Sequence, residues 1–252
     1  MLRILTMNLN YYGTQHGPWA VRRQIITDAI RQAQPDIMAF QAVAQNPAAE
    51  NCLDQAAQLA RELEGYDFSL FCPTRTYADG NAEGMALLSR LPMAASHYRE
   101  LSLRPGLEDT SPRILVHARF DLADGPLHLF NAHFSWVAKQ TQDNLDEVLP
   151  YVQSLPGRAV LVGDLNTPPD SPLMAQIQAE GWVDSWADQH PQAPGYTFVE
   201  GGQLSKRIDY VWVRETLRSH IKDIEVIANS PAEDGSRASD HAGLLVTLDL
   251  EI

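Results

Sequence analysis

Three stretches of this chain end alike, with an apolar, strand-like run giving way to two polar side chains two residues apart. Asn8 and Asn10 stand where residues 3–8 run out, Asn131 and His133 close residues 127–133, and Asp164 and Asn166 follow Val160-Leu161-Val162-Gly163. In extended backbone, residues i and i+2 point to one side, so each strand delivers a polar pair from its carboxyl end. One such pair is also what an ordinary Asx turn carries. Three together constrain the chain to a fold in which several strand ends open on one cleft.

The third pair is the most sharply punctuated. Pro168, Pro169 and Pro172 forbid the strand to continue, and Ser171-Pro172 reads as an N-cap followed by proline at the first helical position. A helix is predicted over 173–180, closed by Gly181. Helical spacing also predicts 18–34, 48–63 and 141–155, the last kinked or split by Pro150. On the helix over 48–63, Cys52 shares a face with Ala56, Leu59, Ala60 and Leu63 and is expected in the core. Strands are predicted over 36–41, 66–71, 84–89, 113–121, 207–213 and 243–250.

At 252 residues and 44% hydrophobic content, without a linker-like stretch or repeat, one domain over 1–252 is expected. Cys52 and Cys72 match neither a disulfide framework nor a zinc site, which favours a reducing, cytoplasmic setting, and a monomer is expected. No run suits a secretory leader or a transmembrane segment. The net charge of −13 argues against a broad basic surface for duplex nucleic acid. A phosphate-bearing substrate stays open, because a bound divalent cation can dominate the field inside a cleft.

The candidate chemistry lies in Asp164, Asn166, Asp209, Asp240, His133, His241, Asn8 and Asn10. No serine elbow, glycine-rich phosphate loop or Cys-His pairing accompanies them. Asp and Asn oxygens suit magnesium or manganese, and imidazoles left free of metal suit phosphoryl oxygens. Taken singly, Asp209 near Arg207 also reads as a structural ion pair, and Glu83 at a strand entry as a solvated side chain.

In order, the motifs are Met7-Asn8, Pro35-Asp36-Ile37 through Gln41, Glu83-Gly84 through Leu87-Leu88-Ser89-Arg90, Asn131-Ala132-His133, Gly163-Asp164-Leu165-Asn166, Arg207-Ile208-Asp209-Tyr210 and Ser239-Asp240-His241. By these the chain resembles the endonuclease/exonuclease/phosphatase superfamily, the group of deoxyribonuclease I, exonuclease III, neutral sphingomyelinases and inositol polyphosphate 5-phosphatases. The resemblance implies an α/β fold, a four-layer sandwich of two mixed β-sheets packed face to face with helices outside. It implies that Asn8 and Asp240 ligate Mg2+ (or Mn2+), with Asn10 near it. Asp164 would orient or deprotonate the attacking water, Asn166 and His133 would hold phosphate oxygens, and His241 would stabilise developing charge. Asp209 would fix the tautomer of His241, Glu83 that of His133, and Arg113 would touch a phosphate.

The chain departs from that pattern at Ala42, which follows Gln41 where the superfamily carries its main metal-binding glutamate. With the other motifs intact, a deliberate Glu-to-Ala inactivation explains this better than drift, which would erode several positions. The implied function is a magnesium-dependent phosphodiesterase, crippled by Ala42. Its substrate would be nucleic acid, a phospholipid head group or an inositol phosphate. The alternative is an inactive binding protein that keeps the cleft for a phosphate or nucleic-acid ligand. For a nuclease, Tyr11, Tyr12, His16, Trp19, Trp136, Lys139 and Lys206 are the aromatic and basic candidates around the cleft; Trp19 and Trp136 suit the core equally.

Overall fold

The computed structural model describes every residue except Ala49. Its elements, in chain order, are β1 (Leu2–Asn8), α1 (Trp19–Ala33), β2 (Ile37–Gln45), α2 (Gln55–Ala60), β3 (Phe68–Thr76), β4 (Ala82–Ser89), β5 (Ala95–Leu101), β6 (Arg113–Leu122), β7 (Gly125–His133) and α3 (Ala138–Ser154). There follow β8 (Arg158–Asp164), α4 (Pro172–Ala179), β9 (Trp182–Asp184), α5 (Ser185–Gln189), β10 (Phe198–Glu200), β11 (Gln203–Lys206), β12 (Asp209–Arg214), β13 (Ile221–Ile227) and β14 (Gly243–Leu248).

The strands form two mixed six-stranded sheets, β13-β14-β1-β2-β4-β3 and β5-β6-β7-β8-β12-β9, with β10-β11 as a separate hairpin. Alternation along the strands sorts the apolar side chains into layers. Ile4, Ala39, Val116, Leu129, Val162, Val211 and Val246 meet between the sheets. Phe130, Leu161 and Tyr210 on the outer face of the second sheet pack against Leu145, Val148 and Ile177 of α3 and α4. Leu5, Met38 and Leu88 on the outer face of the first pack against Ile26, Ile30 and Leu59 of α1 and α2. Three apolar interfaces make four layers, as the resemblance implied.

Each sheet contains one parallel pair, β1 with β2 and β7 with β8, each bridged by a helix. Such crossovers bring both strands of a pair out at the same edge. The carboxyl ends of β1, β2, β7 and β8 therefore share a rim with the start of β12, where Asp209 pairs with Asp164. Below that rim, amides join the sheets. Gln41 Nε2 donates to Asn131 Oδ1 at 2.7 Å and to Thr6 Oγ1 at 2.9 Å, and Asn131 Nδ2 donates to the Phe40 carbonyl at 3.1 Å.

Three local expectations fail. The helix predicted over 48–63 is cut down to α2, because Asn51 and Cys52 have left-handed backbones (φ 57 and 63) and Asp54 caps α2 by accepting from the N–H groups of Ala56 and Ala57. Cys52 is consequently exposed, with its thiol directed at the Pro47 carbonyl, while Cys72 is buried. Pro150 does not split α3, whose buried Leu145, Val148, Leu149 and Val152 hold it on the sheet across the missing N–H. Among the described residues, no helix is long and apolar enough to cross a membrane.

Candidate active site

Asp164 is the hub of the rim. Its Oδ2 accepts from Asn8 Nδ2 at 3.0 Å, and lies 3.4 Å from His133 Nε2 and 3.7 Å from His241 Nε2; its Oδ1 accepts the Asn166 backbone N–H at 2.9 Å. One carboxylate oxygen thus gathers groups from β1, β7 and the segment preceding β14. Gly163 permits the approach of β7 to β8, since its φ is +133° and a Cβ there would sit 1.9 Å from the Ala132 carbonyl oxygen. His241 Nδ1 lies 2.9 Å from Asp209 Oδ2, and the ring of Phe198 stands edge-on to the imidazole at 4.9 Å between centroids.

The two imidazoles sit in opposite charge states. Burial opposes a charge on His241, but the carboxylates of Asp209 and Asp164 outweigh it and raise its pKa to about 9. Burial and the Arg113 guanidinium hold His133 down at about 3, against the pull of Asp164. Burial pushes the Asp164 carboxyl up, and His241 pulls it back. At neutral pH His241 is a cation offering two N–H donors, while His133 is a neutral ring.

Asn8, His133, Asp164, Asn166, Asp209 and His241 come together as predicted, but several neighbours are used otherwise. Glu83 makes no hydrogen bond to His133 among the described residues, and the Nε2 side of that ring faces Asp164. Glu83 instead lines, with Tyr11, Arg113 and His133, a cavity of about 20 Å³. Its charge, after burial, helps to raise the Tyr11 hydroxyl to about 12. Arg113 is held inside the protein, through Nη2 to Asp109 at 2.7 Å and Nη1 to the His133 carbonyl at 3.4 Å, and braces the strand end beside the same small cavity. Asn166 has a left-handed backbone (φ 52) and donates from Nδ2 to the Phe134 carbonyl at 3.0 Å.

The oxygen donors that the resemblance assigns to a cation are those of Asn8, Asn10 and Asp240. Asn8 Oδ1 accepts the Asn10 N–H at 2.8 Å, Asp240 Oδ1 accepts from Ser239 Oγ at 3.1 Å, and Asn10 Nδ2 is buried with no hydrogen-bond partner among the described residues. Beside them the strand bulges between Phe40 and Val43, placing Ala42 in the left-handed region (φ 49) and 2% exposed; its carbonyl accepts the Tyr11 N–H at 2.7 Å. Bulges re-aim side chains, and this one re-aims a methyl group. The donors fit a hard divalent cation in kind but supply a single carboxylate. A second group, Asp164, Asp209 and His241, brings ligand atoms within 4.8 Å of one another, and the imidazolium already balances charge there.

Several residues that shape the site carry no local sequence signal. Arg22, fully buried on α1, donates to the carbonyls of Leu9, Tyr11, Gly13 and Ala238 and so ties the loop after β1 to the segment that carries Asp240 and His241. Thr197 Oγ1 accepts from the N–H groups of Ile208 and Asp209 at 3.3 Å. Of the aromatic and basic candidates, Trp136 is exposed, Lys139 and Lys206 pair with Asp143 and Glu200, and Tyr12 stands edge-on to Trp19, which donates to Gln58. His16 is half-buried, and burial lowers its pKa.

A profile of the Endonuclease/Exonuclease/phosphatase family matches residues 5–241, which takes in every group named at the rim. The chain belongs to that family. Among solved structures of this fold, an endonuclease/exonuclease/phosphatase from Beutenbergia cavernae DSM 12333 is 24% identical, with coverage of 99% of this chain and 72% of that one and a TM-score of 0.80. The mannosyl-6-phosphatase of Bacteroides thetaiotaomicron VPI-5482 is 20% identical over 98% and 99%, with a TM-score of 0.75. A 3′ phosphatase from Neisseria, solved with a product DNA hairpin, is 19% identical over 99% and 100%, with a TM-score of 0.70. A search of curated proteins found no match. At these identities the structural likenesses fix the fold, and the family assignment rests on the profile.

Proposed function

We propose that this member of the endonuclease/exonuclease/phosphatase family is a magnesium- or manganese-dependent phosphoesterase, probed most directly as a phosphodiesterase, whose turnover is limited by Ala42. The observation that carries this reading is Asp164 Oδ2, shared by Asn8, His133 and His241, with Asp209 behind the second imidazole. A carboxylate so placed orients water and takes up its proton, and burial favours that uptake. The His241 imidazolium offers a charged N–H to oxygens that gain charge as the ester breaks, and Asp209 fixes the ring's orientation. His133, neutral, supplies a further polar contact without repelling the cation. Asn8 and Asp240, with Asn10 nearby, would hold the metal, which when bound adds positive charge beside the phosphate.

The reading is tested by calorimetric titration of the protein and its Ala42→Glu variant with magnesium and manganese. Turnover is assayed alongside on abasic, duplex and single-stranded nucleic acid, phospholipid head groups and inositol phosphates. A catalytically silent binding protein would take up substrate and gain neither metal affinity nor turnover from the substitution.

A further inference from the structure

Beside the rim, a cavity of about 440 Å³ opens between the loop after β1, the end of β2 and the β3–β4 turn. Three tyrosines line it, Tyr11, Tyr12 and Tyr77, together with Asn46, Asn81 and Asp79. Tyr11 and Glu83 also line the small cavity beneath His133, so the two spaces are neighbours, and the Tyr11 N–H is bonded to the Ala42 carbonyl. The larger cavity therefore begins where the metal-binding corner ends.

Its walls are held in place. The Tyr12 hydroxyl accepts from Gln58 Nε2 at 3.0 Å. At the turn, Asn81 donates to Asp79 from both its backbone N–H and its Nδ2, and the Tyr77 N–H donates to the Asn81 carbonyl. The Arg75 guanidinium lies 5.9 Å from the centre of the Tyr77 ring and donates to the Thr110 carbonyl. Among the described residues, no lysine or arginine lines this cavity, and two carboxylates, Asp79 and Glu83, do.

We propose that this cavity receives the hydroxylated ring of a small phosphoester, the alcohol part of a sugar or cyclitol phosphate, while its phosphorus sits at Asp164. The inference rests on the phosphoesterase reading and adds the substrate class. Tyrosine rings offer flat faces to the C–H face of such a ring, and amide and carboxylate side chains match its hydroxyls. The volume falls in the lower part of the range for small-molecule sites, roughly 300–1,000 Å³. A nucleic-acid strand would need cations along its path, and this path presents acids. In the reaction, the water oxygen gives a proton to Asp164 and bonds to phosphorus as the bond from phosphorus to the ester oxygen breaks; that oxygen takes a proton from the His241 imidazolium, giving the free alcohol.

The test is isothermal titration of the protein as it stands, in millimolar magnesium, with inorganic phosphate, glucose 6-phosphate, myo-inositol 1-phosphate and a single-stranded oligonucleotide. At least one ring phosphate should bind ~10-fold more tightly than inorganic phosphate, about 1.4 kcal/mol. Tyr77→Ala, at an exposed hairpin tip, should erase that difference, and Tyr77→Phe should keep it. The two ring probes distinguish a sugar from a cyclitol. Ring phosphates that bind no better than phosphate, an oligonucleotide that binds better than both, or a difference untouched by Tyr77→Ala would each overturn the proposal. Failure of the phosphoesterase reading looks different: Ala42→Glu would then hydrolyse neither p-nitrophenyl phosphate nor bis(p-nitrophenyl) phosphate.

Discussion

The substitution Ala42→Glu exposes the reasoning most fully. Position 42 already carries a Cβ in the left-handed region (φ 49), so the backbone strain is present and glutamate adds little to it. What it adds is a carboxylate at a buried bulge beside a corner whose other donors are Asp240 and neutral amides. At an effective dielectric near 20, two unit charges about 4 Å apart interact by about 4 kcal/mol, and a divalent ion doubles this before desolvation is subtracted. A net gain of ~2.7 kcal/mol in the transition state is therefore modest, and it corresponds to ~100-fold in turnover. Initial rates of phosphodiester hydrolysis would be measured for both proteins across a magnesium and manganese titration, with melting temperatures in parallel. Without metal the buried carboxylate should lower the melting temperature of Ala42→Glu, and magnesium should restore it. If the variant gains nothing on any substrate that the protein binds, and its melting temperature ignores metal, the missing-ligand account is wrong.

Other perturbations reach other parts of the structure. In the Ala42→Glu background, Asp209→Asn should lower kcat at least ~100-fold by releasing the orientation and charge of His241, and should also lower the melting temperature because the imidazolium loses a buried counter-charge; a variant destabilised with kcat unaffected would make Asp209 merely structural. Gly163→Ala should destabilise by ~3 kcal/mol or more in chemical denaturation, since its methyl would meet the Ala132 carbonyl. His117, bonded at 2.9 Å to His128 and 3.0 Å to the Tyr151 hydroxyl, is held down at about 4 by burial and by His97 and His128. Because its folded pKa lies below its unfolded value, its contribution is full above pH ~6.5 and is lost as pH falls toward 4, roughly 3 kcal/mol in all. Acid titrations of the native protein and His117→Gln should diverge over that window, and parallel curves would refute the assignment.

The site was legible where its residues close strands, as Asn8, His133 and Asp164 do, whereas Asn166 follows β8 with a left-handed backbone that strand alternation does not describe. The pairing of Asp209 with His241 was legible only through the superfamily resemblance, since no local pattern links residues 32 apart. Gln41 and Asn131 look like routine polar positions in buried strands, and their bond crosses between sheets from residues 90 apart. β5 escaped notice because Ala95 through Glu100 are all exposed, leaving no apolar alternation to read. The helix over 48–63 was overextended although Asp54 supplies a clear cap signal, because its apolar spacing continues upstream through Cys52. Glu83 shows the limit of transfer by motif: its position fits the pattern, while its side chain lines a cavity with Tyr11 and makes no hydrogen bond to His133 among the described residues.

β1 pairs with β14, Leu2 opposite Leu248, and Asp240 and His241 lie immediately upstream of β14. Asp240 and His241 therefore join the rim only once the chain has been made as far as residue 241. Synthesis at about 5–20 residues per second leaves the growing polypeptide without Asp240 and His241 for most of that time. A nascent or truncated chain that stops short of them lacks the His241 imidazole that faces Asp164 and Asp209. The topology thus links two events: the rim gains its last groups as β14 closes against β1.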